Sequence, residues 1–181
     1  KNSALYSWAT WAECIELIKK ISSFNLKAVS YQELAKKYGL SSTTTKSFTA
    51  KIGAAKQFGL VTTAQGNTIH LTDASKKLLY PTGESVRGVE LTCFAQAPLY
   101  SKLISKYDGM ALPAQELLAN ILMNEYRITR SVKDSAAKCF LESAEQLELI
   151  KGGILCYTDA ENEPEEPTAK QPVTEETDIP T

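Results

Sequence analysis

The sequence predicts a mainly α-helical protein with small β-hairpins, built from two tandem copies of one unit, and three observations predict it. Lys27-Ala28-Val29-Ser30-Tyr31-Gln32-Glu33-Leu34 returns as Met110-Ala111-Leu112-Pro113-Ala114-Gln115-Glu116-Leu117, a shift of 83 positions. Ala55-Lys56-Gln57-Phe58-Gly59-Leu60-Val61 returns as Ala144-Glu145-Gln146-Leu147-Glu148-Leu149-Ile150, a shift of 89, which implies a six-residue insertion in the second copy. Upstream, Lys19, Ile21, Ser22, Phe24 and Asn25 align at the first shift with Lys102, Ile104, Ser105, Tyr107 and Asp108. A repeat fixes the architecture before any local assignment is made.

Each element has its own signal. Trp11, Ile15, Ile18 and Ile21, or Leu17, Ile21 and Phe24, fall at three- and four-residue spacing and predict an apolar first helix that also carries Trp8. Leu26 to Val29 reads as a brief extended piece. Ser30-x-x-Glu33 is a capping box for a second helix running to Tyr38 and stopping at Gly39. Ser41 or Ser42 opens a third helix whose buried stripe is Thr45, Phe48, Ile52 and Ala55, ended by Gly59. Residues 60–63 and 68–71 read as two strands around the turn Gln65-Gly66-Asn67, and Thr72 caps a short helix through Leu79. Residues 84–97 form a connecting helix around Val86, Val89, Leu91 and Phe94.

The second copy follows the same order. Pro98 starts a helix to Tyr107, residues 110–112 are the short strand, and Pro113 takes the first position of a helix to about Met123. Ser131 opens a third helix through Leu147. Residues 149–151 and 154–157 flank Gly152-Gly153 as the second hairpin.

Helix, short strand, helix, turn, helix, hairpin is the order of the winged helix, in which the hairpin forms the wing. The expected organisation is a first winged-helix domain at 1–83, a connecting helix with a second at 84–158, and a tail from 159. The Gln-Glu-Leu-Ala helix, the Gln-Phe-Gly-Leu-Val helix end and Leu-Thr-Asp-Ala-Ser-Lys-Lys-Leu-Leu resemble prokaryotic winged-helix DNA-binding proteins over about residues 5–157. The tandem layout is similar to a bacterial and archaeal family of unknown function made of two such units. That resemblance implies binding of double-stranded DNA by sequence or by shape.

Composition narrows the partners. The net charge of −1 hides a division: from Asp159 onward eight acids face Lys170 alone, and four of the seven prolines lie there. That stretch has almost no large apolar residue to bury, so residues 159–181 are expected to be a disordered acidic tail. Subtracting its charges leaves residues 1–158 at +6, a mildly basic body that tolerates an anionic partner. Cys14, Cys93, Cys139 and Cys156 show no metal-ligand spacing and read as small hydrophobes of a reducing compartment. No apolar run approaches the roughly 20 residues of a membrane span, so a cytoplasmic protein is expected.

In this motif the third helix enters the major groove and its N-terminal residues meet bases and phosphates. The candidates in the first copy are Ser42, Thr43, Lys46, Ser47 and Lys51, with Ala50 and Gln57 on the same helix. Short hydroxyl side chains allow close approach, and lysines supply charge. In the second copy Arg127, Arg130, Lys133 and Lys138 surround the start of the third helix, which then continues into Glu142, Glu145 and Glu148. Wing one carries no Lys or Arg, and wing two offers only Lys151. The first copy is therefore expected to read DNA and the second to support it or to dimerise.

His70, the single histidine, has no carboxylate or cysteine beside it. No phosphate loop, metal cluster or nucleophile elbow occurs, so no enzyme, cofactor or metal is expected. The leading expectation is a transcription regulator or a factor of a mobile-element or defence system. The alternative is an adaptor that grips protein partners with both winged helices, in which case exposed tryptophans would mark the partner surface.

Overall fold

The computed structural model describes residues 3–163. Among them the chain is mainly helical with small antiparallel hairpins. The order is α1 (Trp11–Ser22), β1 (Val29–Ser30), α2 (Tyr31–Lys37), α3 (Lys46–Gln57), β2 (Val61–Ala64), β3 (Thr68–Leu71), α4 (Asp73–Leu79) and α5 (Val86–Gln96). It continues with α6 (Pro98–Tyr107), α7 (Gln115–Glu125), α8 (Lys133–Gln146), β4 (Ile150–Lys151), β5 (Ile154–Leu155) and α9 (Tyr157–Asn162).

In the first half β1 joins the hairpin at the β3 edge, giving the order β1-β3-β2, with Val29 opposite Ile69 and Val61 opposite Leu71. The second half repeats this in reduced form. Ile150 lies opposite Leu155, and the segment before α7 reaches the hairpin through one bridge, Ala111 to Ile154, and the bond from Leu112 N–H to Gly153 O (2.8 Å).

Local chemistry explains where the helices start. Ser30 and Glu33 form the reciprocal capping box, and Thr10 and Glu13 form a second one on α1. Several boundaries differ from the sequence reading. Ser42 does not open α3; its hydroxyl accepts from Thr44 N–H (3.2 Å) and so shapes the turn before the helix, which begins at Lys46. Likewise α8 begins at Lys133 rather than Ser131, and Pro113 stands two residues before the first residue of α7. Trp8 precedes α1, which Thr10 caps.

The repeat also shifts. The N-cap Ser30 matches the N-cap Ala114, and buried Leu34 and Ala35 match buried Leu118 and Ala119, a shift of 84. Gln-Glu-Leu is therefore one residue out of structural register, and Leu117 is 56% exposed. The shift of 89 holds at the helix end, where Phe58 and Leu60 match Leu147 and Leu149, all buried. The net insertion is five residues, most of it in α7, which has 11 residues where α2 has seven. A whole helical turn can be inserted without rotating the apolar face away from the core.

The core runs unbroken through both halves. Trp11 packs edge-on against Phe58, Phe58 stacks on Phe94, and Tyr100 and Phe140 close the group with centroids 5.1 Å apart. These rings come from α1, the end of α3, α5, α6 and α8, so the connecting helix is a core element, with Leu91, Cys93 and Phe94 buried. Helix α9 occupies the first residues read as tail: Ala160 is buried, and Tyr157 Oη donates to Leu91 O (2.9 Å). Positions 164–181 of that tail lie outside the described residues. Among the described residues no helix is long and apolar enough to cross a membrane.

Candidate functional site

Helix α3 carries three lysines and no carboxylate. Its buried face is Phe48, Ile52, Ala54 and Ala55, which leaves Lys46, Ser47, Thr49 and Lys56 exposed and Ala50 and Lys51 half-buried. No side chain caps its N-terminus and no acid sits in its first turn. The free N–H groups and the helix dipole therefore add to the lysine charge. Ser42 and Thr43 lie outside the helix, half-buried in the turn before it.

Among the described residues none of these lysines makes an ion pair. Two rest on aromatic rings instead, Lys46 Nζ 5.2 Å from the Trp8 centroid and Lys51 Nζ 4.5 Å from that of Tyr38. Such contacts hold an ammonium without neutralising it. Trp8, Ala9, Glu13, Lys46, Ser47, Ala50 and Lys51 line a recess of about 320 Å³. Its one acid, Glu13, accepts from Thr10 N–H (2.8 Å) and is committed to capping α1.

The second copy is wired differently. Lys133 Nζ donates to Asn120 Oδ1, and Lys138 pairs with Glu142 at 3.8 Å. Lys151 pairs with Glu163; the contact holds that carboxyl below the usual range and lifts the lysine above its own. Arg127 does not begin the third helix. It follows the last turn of α7 at φ 61°, where Gly39 stands after α2, and Ile128 N–H reaches back to Leu122 O (3.2 Å). Arg127 and Arg130 are exposed on this loop.

Segment 3–10 joins the two basic regions. Ser3 Oγ accepts from Thr129 N–H (3.1 Å), and Ala4 N–H donates to Arg127 O (3.1 Å). Gln57 Nε2 then donates to Tyr6 O (2.9 Å), while Ala12 N–H donates to Gln146 Oε1 (2.8 Å). Gln57 and Gln146, matched by the repeat, thus hold backbone groups six residues apart, Tyr6 in this segment and Ala12 in the first turn of α1. Both ends of the Gln57 amide are spent on segment 3–10, Nε2 on Tyr6 O and Oε1 on Ser7 Oγ (3.3 Å). The sequence held the clue in the repeated glutamine, but its partners are groups that no local pattern announces.

The two tryptophans separate: Trp11 is 4% exposed and Trp8 44%. His70 lies half-buried on β3. Burial pushes the Cys93 and Cys139 thiols up to about 11, which disfavours thiolate chemistry there. Among the described residues no group of three His, Cys, Asp or Glu side chains stands close enough to hold a metal ion. Comparison with models of protein families, with curated proteins and with solved structures returns no match.

Proposed function

We propose that this chain is a pair of tandem winged helices that binds double-stranded DNA without catalysis, the first reading and the second supporting. The observation that carries the reading is α3 itself: three lysines, no carboxylate, no ion pair among the described residues and an uncapped start. Phosphate neutralisation dominates affinity for duplex DNA, and a helix presented this way adds its dipole to that term. Ser47 offers its hydroxyl to a phosphate or base edge beside Lys46, whereas the Thr49 hydroxyl is already spent on Thr45 O (3.2 Å) and Lys46 O (3.1 Å). Helix α8 carries two lysines against Asp134, Glu142 and Glu145, which suits a supporting role better than a second reader.

The test is fluorescence anisotropy of the full chain with a labelled duplex at low and moderate salt. The expected result is binding that weakens steeply with salt, and a loss of about tenfold or more in Lys46→Glu. Lys138→Glu, at a side chain already paired with Glu142, changes affinity much less. No binding at low salt, or equal losses in both variants, overturns the reading. The adaptor alternative is favoured at one place, where Met110 (56% exposed), Leu117 (56%) and Ile154 (40%) leave apolar surface on the second half. Charge substitutions there that abolish a function while sparing duplex binding would decide for it.

A further inference from the structure

The segment before α1 is held at both ends and shows two large apolar side chains between two basic regions. Ser3 and Ala4 are bonded to the loop that bears Arg127 and Arg130, and Tyr6 is bonded to Gln57 of α3. Between and beyond these anchors Leu5 is 63% exposed and Trp8 44%, whereas Tyr6, Ser7 and Ala9 are buried. The Trp8 ring is already packed on its neighbours. It stacks on Tyr6 with centroids 4.7 Å apart and 28° between planes, and Lys46 Nζ lies 5.2 Å from its centre. An aromatic ring packed before its ligand arrives loses little entropy on contact.

Ala4 and Trp8 are four residues apart, so at most about 14 Å of extended chain separates the residue bonded to Arg127 from the one beneath Lys46. A few nucleotides of one DNA strand cover that span. Among the described residues Arg127, Arg130 and Lys46 make no ion pair. Cations at both ends and exposed apolar surface along the segment match a sugar–phosphate strand, which alternates charge with apolar sugar faces.

We infer that the strap formed by residues 3–8 is part of the duplex interface: one strand crosses it between Lys46 and the Arg127–Arg130 loop, with its sugars against Leu5 and Trp8. This rests on the DNA-binding reading and adds that both halves touch the same strand through a segment that belongs to neither third helix. Lys46 would leave the indole for a phosphate, and the indole would pass from water to sugar.

The experiment is acrylamide quenching of tryptophan fluorescence in the full chain, free and saturated with a duplex of about 20 base pairs, alongside anisotropy. Quenching should fall on saturation in the unsubstituted chain. Trp8→Ala, which leaves only the buried Trp11, should lose that change and bind about tenfold more weakly. Leu5→Glu, at an exposed side chain, should also weaken binding, and unchanged thermal unfolding would show that the fold persists. Arg130→Glu should reduce the salt dependence by about one phosphate contact. Unaltered affinity in both strap variants, with the indole still open to acrylamide in the complex, overturns the strap while leaving α3 as reader. Absence of duplex binding by the unsubstituted chain overturns both. Preference for a single strand of the same sequence overturns the duplex assignment.

Discussion

The two halves share an element order and a burial pattern but differ at the residues that start and stop their helices. Ser30 caps α2 with its side chain, and its counterpart Ala114 has none to offer α7. Gly39 ends α2 in the left-handed region, and Arg127 occupies the matching place. Gly59 does so after α3 at φ 68°, and Glu148 after α8 at φ 56°. Thr72 caps α4, while Cys156 before α9 makes no cap bond. All four local signals are present in the first half and missing from the second. Tertiary contacts sustain what the second half lacks, and its third helix carries acids where α3 has none. Burial is the conserved quantity between the copies; punctuation and charge are not.

The largest test of this comparison is mechanical. Phe58 and Leu147 close equivalent helix ends, but Phe58 meets Trp11 in its own half and also Phe94 and Tyr100 beyond it. Phe58→Ala should cost roughly 3–5 kcal/mol. Because the aromatic group spans α1, α5, α6 and α8, the loss should appear in both halves together, as one transition in urea seen alike by tryptophan fluorescence and far-ultraviolet dichroism. Two separated transitions would break the picture of a shared core.

A smaller effect separates local from remote capping. Asp108 Oδ1 accepts from Tyr157 N–H (2.9 Å) and Thr158 N–H (3.3 Å), and Thr158 Oγ1 donates to its other oxygen. Burial alone would raise the Asp108 carboxyl, but these bonds and one from Gly109 N–H outweigh it and hold the carboxyl below its usual range. A lowered carboxyl stabilises the fold above its unfolded pKa and ceases to as pH falls through the folded value. Asp108→Ala should therefore cost about 1–2 kcal/mol near neutrality and progressively less in acid, as pH falls below the roughly 3.9 of an unperturbed aspartate. Thr72→Ala, which removes a neutral cap from α4, should cost about 1 kcal/mol at either pH. Denaturant titrations at the two pH values check both. A cost for Asp108→Ala that persists in acid would mean that packing, not charge, holds α9.

What could be read from the chain follows the same division. The Ser30 box, the first hairpin, the Thr72 cap and the shift of 89 were legible because each rests on neighbours in sequence. The Gln-Glu-Leu match misled by one residue because identity outweighed burial where Leu117 and Leu118 stand side by side. Helix starts in the runs 41–45 and 129–132 were set too early because their hydroxyls serve turns. Helix α9 was invisible because its cap lies 49 residues away. At the candidate site the lysines of α3 could be named, but not the indole beside Lys46 nor the glutamine clamp on the strap. Both depend on residues brought together only by folding.

The finest test exchanges a single stop signal. Glu148 holds a left-handed conformation that costs an L-residue about 1–2 kcal/mol, while glycine gives back part of that through its greater freedom when unfolded. Glu148→Gly should therefore stabilise the chain by about 0.5 kcal/mol. The reverse change, Gly59→Ala, brings the same backbone strain and also sets a methyl 2.1 Å from Gln96 Oε1. Because that oxygen ends a flexible side chain, it can swing aside, so the cost should stay near 1 kcal/mol rather than reach that of a core clash. Opposite signs in urea midpoints are expected. Glu148 also sets a negative charge beside the negative end of the α8 dipole, so its removal adds a second small gain that high salt should erase, leaving the backbone contribution alone. If Glu148→Gly destabilised the fold, the glutamate side chain would be making a contact that outweighs the strain, and the second half would have replaced its lost punctuation with a bond of its own.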